Sequence, residues 1–263
     1  MLSPAMIIAR KELLDHLRDS RSLLSSVLYS LMGPAVVSLA AFSLPSTSTA
    51  SPLPGLISVF TLVAAFTGGM SLAMDTIAGE RERRSLLPLL LNPISRRDIA
   101  IGKWLAIAAF TAAGLIITIS GFAITWAIAR MPASANWLYL LLTLGAAVLP
   151  LTLLSAALEL LISTACRGVK EAQTYLSLLV FVPMLLGMAL VFFPHAAKPW
   201  LYFLPVAGQQ LALQQSIHGS PIQGAAASLL EPMILGWTTL AAAVLIVMAA
   251  ANRLQRDDIV YGS

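Results

Sequence analysis

The sequence predicts an all-α, polytopic membrane protein with six transmembrane helices, and three observations carry that reading. First, 58% of the 263 residues are hydrophobic and 11% are charged, with a mean hydropathy of +0.85; a soluble domain carries roughly one-quarter charged residues. Second, six stretches are mostly apolar over helix length, at about 22–44, 54–75, 104–129, 138–165, 174–194 and 232–251. About 20 such residues cross a hydrocarbon core roughly 30 Å thick, and a helix satisfies its own backbone hydrogen bonds in lipid. A barrel would need short segments of alternating polarity, and none is evident. Third, the basic residues fall on one side. With the N-terminus inside, Arg10, Lys11, Arg18, Arg21, six bases between 76 and 103, Arg167, Lys170, Arg253 and Arg256 share a side, and only Arg130 and Lys198 lie opposite. Fourteen against two assigns both termini to the cytoplasm.

The elements follow in order. Residues 5–21 form an amphipathic segment whose Met6, Ala9, Leu13 and Leu17 recur at helical spacing, with Lys11 and Asp15 placed to pair at i,i+4. Such a helix lies in the headgroup plane with its bases toward anionic lipid; a simple anchor and a partner-docking element are both open. Pro45 to Pro54 reads as a Ser/Thr-rich external turn. Arg130 to Trp137 is a second external loop, with Trp137 and Tyr139 suited to the interface belt. Cys166 to Gln173 is a short cytoplasmic turn. Residues 195–231 form a long external loop before the last helix, where Gln209, Gln210, Gln214 and Gln215 alternate with Leu211, Leu213 and Ile217, a pattern for one or two short helices on the outer face. Gly33-Pro34, Gly68-Gly69, Pro150 and Pro183 with Gly187 mark places for kinks or close packing.

Several classes drop out. The bases are divided among membrane-flanking loops, so the pI near 9.5 is a topology signal and a nucleic-acid partner is not expected. The first apolar span is longer than a signal-peptide core and follows some 21 residues, so no cleaved leader is expected. One cysteine, Cys166, allows neither an internal disulfide nor a cysteine-rich metal site.

Thr76 to Lys103 stands apart. It holds nine of the chain's 28 charges: Glu80, Arg81, Glu82, Arg83, Arg84, Arg96, Arg97, Asp98 and Lys103. A helix is expected to continue out of the second span to Leu87 and to break there because of Pro88. That leaves an apolar knob, Leu86-Leu87-Pro88-Leu89-Leu90-Leu91, between charged flanks. Ser95 and Asp98 fit a capping box for the next helix. Arg96 and Arg97 then sit in a first helical turn, where the macrodipole disfavours them; lipid phosphates or an acidic protein surface would supply a reason. Lys103 marks the re-entry into lipid.

Here the chain resembles a family, the type-2 permeases of ATP-binding-cassette transporters. The matching residues are Gly79-Glu80-Arg81-Glu82, Leu86-Leu87, Leu90-Leu91, Pro93-Ile94-Ser95-Arg96 and Gly102-Lys103, with Ala9-Arg10-Lys11-Glu12-Leu13 at the N-terminus. The family commonly has Gly-Thr where this chain has Arg84-Ser85. Leu204-Pro205, Gly219 and Arg253 to Val260 resemble the sodium-extrusion branch, although Gly208 stands where that branch often has Asn. The resemblance implies a single permease domain over 1–263, with an interfacial helix in 1–21, a coupling loop at 76–103 and an external loop at 195–231. It also implies a second permease copy or a paralogue, and a separate cytoplasmic ATPase that binds the ATP and magnesium. The chain itself carries no GxxxxGK[ST] motif and is expected to bind no cofactor or metal and to be no enzyme. The ATPase-coupling residues implied are Glu80, Arg81, Glu82, Arg83, Arg84, Leu86, Leu87, Leu90, Leu91, Arg96 and Arg97, and the N-terminal docking residues Arg10, Lys11, Glu12 and Arg18. Membrane lipids are the remaining partners, in the inner membrane of a bacterium.

Within the spans, Glu159 is the acidic residue placed deepest, eight residues before Arg167, or about 12 Å along a helix. An ionisable group at that depth is a functional candidate: for cation contact, proton-linked gating or contact with a substrate. A carboxyl paired with a neighbouring helix is the alternative. Asp75 is nearer a helix end and suits an ion pair there. His16, His195 and His218 fall outside the spans without metal-ligand spacing and read as surface residues. Two other functions compete with a permease: a membrane scaffold that recruits a cytoplasmic protein, and an intramembrane lipid-modifying enzyme. The second lacks HExxH and GxSxG motifs.

Overall fold

A computed structural model describes residues 3–43, 53–90, 93–128, 137–193, 199–218 and 227–255, and no strand occurs among them. Six helices are long and apolar enough to cross a membrane: Ser22–Ser43, Gly55–Glu82, Arg96–Ile128, Ala147–Ala165, Val169–Phe192 and Ile234–Arg253. The external turns expected at 45–52 and 130–136, and Arg256 with the tail after it, lie outside the described residues, as does His195.

Helix α1 (Pro4–Arg18) starts on Ser3, whose hydroxyl accepts from the Met6 amide, with Pro4 at its first position. The expected Lys11–Asp15 pair forms at 3.6 Å. The buried face differs from the expected stripe. Ala5, Ile8, Ala9, Glu12 and His16 turn inward, and Met6 and Leu17 are exposed. Ala9 belongs to both sets; Ala5 and Ala9 allow a close helix contact, and Glu12 and His16 turn inward to polar partners.

After α2 (Ser20–Ser43), the second span is built from four pieces. These are α3 (Leu53–Thr67), a turn at Gly68-Gly69, α4 (Met70–Ala73), and a π-helical turn (Met74–Gly79) running into α5 (Glu80–Glu82). The helix ends at Glu82 rather than at Leu87. The amide of Ser85 donates to the Glu80 carbonyl and that of Arg84 to the Arg81 carbonyl, with Arg84 at φ 58°. These two bonds form a Schellman motif, which stops a helix through one left-handed residue. Pro88 then sits within the short α6 (Leu86–Leu90).

The third span, α7 (Arg96–Ile128), opens on the expected Ser95–Asp98 cap, with both bonds made through the Ser95 hydroxyl rather than one through its amide. The Asp98 amide donates to Ser95 Oγ at 3.0 Å, and Ser95 Oγ donates to Asp98 Oδ2 at 2.6 Å. Helices α8 (Trp137–Ala165), α9 (Val169–Phe192) and α11 (Ala227–Arg253) supply the remaining spans. A 3-10 turn (Pro199–Phe203) and α10 (Ala207–His218) lie between α9 and α11. The glutamines of α10 do not simply coat a surface. Gln209 and Gln210 are fully buried, and their Nε2 groups donate to Thr239 Oγ1 at 2.7 Å and Ser58 Oγ at 2.8 Å. A buried amide needs such partners, so α10 is wedged between α3 and α11.

Helices α8 and α11 form the most extensive contact, and α1 and α2 both lie on α7. One apolar core (Ile77, Ala100, Ile107, Leu160, Leu254) fills the end of the bundle that carries the basic loop, and a second (Leu62, Phe66, Leu115, Leu151, Leu213) fills the middle. Leu28, Leu39, Ile116, Ile124, Phe181, Leu185 and Leu245 point outward and are exposed. Large apolar side chains on the outside of a bundle match a lipid surround.

Candidate functional site

The basic end is organised around Lys103. Its position in α7 follows from the capping box, which sets Lys103 two turns into the helix and inside the bundle, fully buried. Its Nζ donates to Glu80 Oε1 at 2.8 Å, to Glu12 Oε1 at 3.1 Å and to the Thr76 carbonyl at 2.8 Å. Those partners come from α5, α1 and the π turn. A wide turn exposes carbonyls that an α-helix would occupy, and here Thr76 uses one to hold the ammonium. The neighbouring Gly102 lets α1 approach: a Cβ there would lie 2.6 Å from the Ala5 carbonyl oxygen and 2.8 Å from Ile8 Cβ. Burying a lone ammonium is costly, and carboxylates in hydrogen-bonding geometry offset that cost. Lys11 adds a flanking contact to Glu12 at 3.5 Å. Burial alone lowers the Lys11 ammonium, but Glu12, Glu80 and Asp15 together hold it above its usual value.

The other loop charges meet the ends of helices. Arg81 donates to the carbonyls of Cys166 at 2.7 Å and Thr164 at 3.3 Å, at the C-terminal end of α8. Glu82 Oε2 accepts from the Val169 amide at 2.8 Å, at the start of α9. Arg96 donates to the Leu254 carbonyl at 2.6 Å, just past α11. Each charge has the sign the helix dipole favours, cations at C-termini and the anion at an N-terminus. This supplies the reason for Arg96 that its own helix does not. Arg83 pairs with Asp75 at 2.9 Å, the helix-end pair anticipated for that aspartate, and remains 68% exposed.

The predicted coupling residues therefore divide. Glu80, Arg81, Glu82 and Arg96 make contacts within the chain, and Leu86 is buried in the core. Arg83 and Arg84 are exposed. Arg97 is exposed and borders a groove of about 380 Å³ lined by Ile101, Trp104, Val244 and Met248. The side chains of Leu87 and Leu90, and all of Leu91, lie outside the described residues. In the N-terminal set, Arg10, Lys11 and Arg18 are exposed, and Glu12 is buried on Lys103.

Sequence reasoning missed three participants. Lys103 read as a boundary marker, although a lysine two turns inside a helix start calls for a counter-charge. Gly102 entered only as half of the Gly102-Lys103 match, with no packing role read from it. His16 read as a surface residue, but it is buried. Its Nε2 lies 3.1 Å from Ser71 Oγ and its ring packs edge-on to Phe110 at 4.7 Å. Burial holds the His16 imidazole below its usual pKa, against the pull of Asp75, Asp19 and Glu12.

Glu159 is the second candidate. It lies in α8, within the span, with no exposure, and neither carboxyl oxygen has a hydrogen-bond partner. It faces the Gly68-Gly69 turn. A Cβ on Gly69 would sit 2.9 Å from Glu159 Oε2 and 2.2 Å from Thr111 Oγ1. Spans two, three and four thus converge there on a backbone that only glycine can bring so close.

Six membrane-length helices, with an N-terminal helix and an inter-span loop braced together at one end, define a polytopic membrane protein with a built surface at its basic end. The sequence matches the family model described as ABC-2 family transporter protein over residues 6–259, and the chain belongs to that family. It is 33% identical over 143 residues, or 52% of its length, to the ABC transporter permease protein NatB of Bacillus subtilis (strain 168). It is also 36% identical over 101 residues, 37% of its length, to the probable ABC transporter permease protein NosY of Pseudomonas aeruginosa. A NosY protein of Stutzerimonas stutzeri is 34% identical over 116 residues, 43% of this chain. These matches span 36 to 40% of the length of the relatives.

Proposed function

We propose that the chain is the membrane-spanning permease half of an ATP-driven exporter. It pairs with a second copy or a paralogue and is driven by a separate cytoplasmic ABC ATPase, which binds the ATP and magnesium. The bias of the basic residues supports a cytoplasmic side for both termini and the 76–103 loop, and the membrane in this reading is a bacterial inner membrane. The observation that carries the reading is the Lys103 network, which joins α1 and α5 to α7. A force applied to the outer surface of α1 or to Arg83, Arg84 and α6 is passed through it to spans two and three. That is what an ATPase docking surface requires. The scaffold alternative has no use for a rigid connection between the surface and the spans.

Co-purification of the intact complex tests this. A Walker-motif ATPase in stoichiometric amount supports it, and a complex that consistently lacks one overturns it. Reversal of both exposed charges, Arg83→Glu with Arg84→Glu, is expected to weaken ATPase association about tenfold, or ~1.4 kcal/mol, with membrane insertion unchanged. Unaltered association in a pull-down removes these arginines from the docking surface.

A further inference from the structure

We propose that Glu159 binds an exchangeable proton inside the bundle, held in this packing and released when the Gly68-Gly69 break opens. The carboxyl is fully buried, and both oxygens are without partners. A carboxylate so buried, with no counter-charge in contact, is a situation folded proteins avoid by neutralising the group. Thr111 Oγ1, which meets the same Gly69 position, already donates to the Ile107 carbonyl at 2.8 Å. The hydroxyl therefore cannot give its hydrogen to Glu159 without leaving that bond.

The charges on the elements packed against α8 lie elsewhere. Helices α3 and α4 carry no titratable side chain. On α7, Lys103 is eight residues before Thr111, about 12 Å along the axis, and is engaged by Glu12 and Glu80. Arg96, Arg97 and Asp98 are farther still along that helix. In the π turn, Asp75 is six residues beyond Gly69, about 9 Å away along the axis, and pairs with Arg83. Lys170 and Glu171 open α9, whose Tyr175 is exposed; His218 closes α10, and on α11 Glu231 lies near the start and Arg253 at the end. From α1, His16 reaches Ser71, two residues past Gly69, and Phe110.

Release of the proton to water leaves an anion, and the present packing holds nothing to receive it. Ionisation is therefore linked to movement of α3 against α4 at a turn that is already irregular. In the exporter reading above, this would make one step of the cycle sensitive to pH. The binding itself needs no ATPase, so its test is separate from that of the permease assignment.

The test uses the full chain in lipid nanodiscs, comparing wild type with Glu159→Gln, a neutral side chain of the same shape. Thermal unfolding midpoints are measured from about pH 6 to about pH 9 at constant ionic strength. The wild-type midpoint is expected to fall relative to that of the variant as pH rises, because only the wild type has a proton to lose. His16 and every other group titrate in both proteins and cancel in the difference. Curves that stay parallel across the range overturn the proposal. A second readout is labelling by dicyclohexylcarbodiimide, which takes up the carboxyl proton on nitrogen while the carboxyl oxygen adds to the central carbon. The resulting O-acylisourea rearranges to an N-acylurea with no leaving group. An adduct mapped to Glu159 and slowed about tenfold per pH unit on the alkaline limb supports the site, while a rate independent of pH overturns it.

Discussion

Arg84 occupies a left-handed conformation, φ 58°, at the position where the resembling family commonly has glycine. A side chain there strains against its own carbonyl, at a cost of roughly 1–2 kcal/mol. Arg84→Gly is therefore expected to stabilise the chain by about 1 kcal/mol, read as a higher unfolding midpoint, and Arg84→Val to lower it. Neither change alters the two backbone bonds that end the helix. At His16, the pH dependence has a definite sign. Burial lowers the folded imidazole, so the unfolded chain binds more protons below its ordinary pKa of about 6.5. The stabilisation is complete above that value and is lost as pH falls through the folded value. His16→Gln is expected to flatten this acid limb of the unfolding midpoint.

The contact of α1 with α7 depends on one missing methyl group and one ion pair. Gly102→Ala places Cβ within 2.6 Å of the Ala5 carbonyl oxygen, a backbone atom that moves only with the whole helix. It is expected to lift α1 from the bundle, seen as faster proteolysis of residues 4–18 while the spans stay inserted. Lys103→Met leaves the buried Glu12 and the partly buried Glu80 carboxylates without their shared cation and is expected to cost about 3 kcal/mol, more than the loss of any surface pair in the loop. These elements also show how far the sequence could be read. The six spans were legible because hydropathy is a local property of about 20 residues, and the capping box because its partners are three residues apart. The partners of the loop charges were not legible. Arg81 reaches carbonyls 83 and 85 residues away, and Glu82 an amide 87 residues away. The inner face of α1 was read only in part: Ala9 and Leu13 pack on the core as expected, but Ala5 and Ile8 take the places given to Met6 and Leu17.

Across the whole molecule, the basic loop both presents a surface and ties helices together. Arg83 and Arg84 face outward, while Glu80, Arg81, Glu82 and Arg96 hold α7 and the ends of α8, α9 and α11. This division was only half visible beforehand: the density of charge was plain in the sequence, but not which charges were already satisfied. Glu159 was legible by its depth alone, and what the fold added was the turn it faces. The bond from Arg96 to the Leu254 carbonyl has a consequence for biosynthesis. Donor and acceptor lie 158 residues apart, so Arg96 emerges from the ribosome long before its acceptor exists. Until α11 inserts, that guanidinium lacks this acceptor. A chain stalled before α11 would thus carry the whole loop yet lack the brace between Arg96 and Leu254.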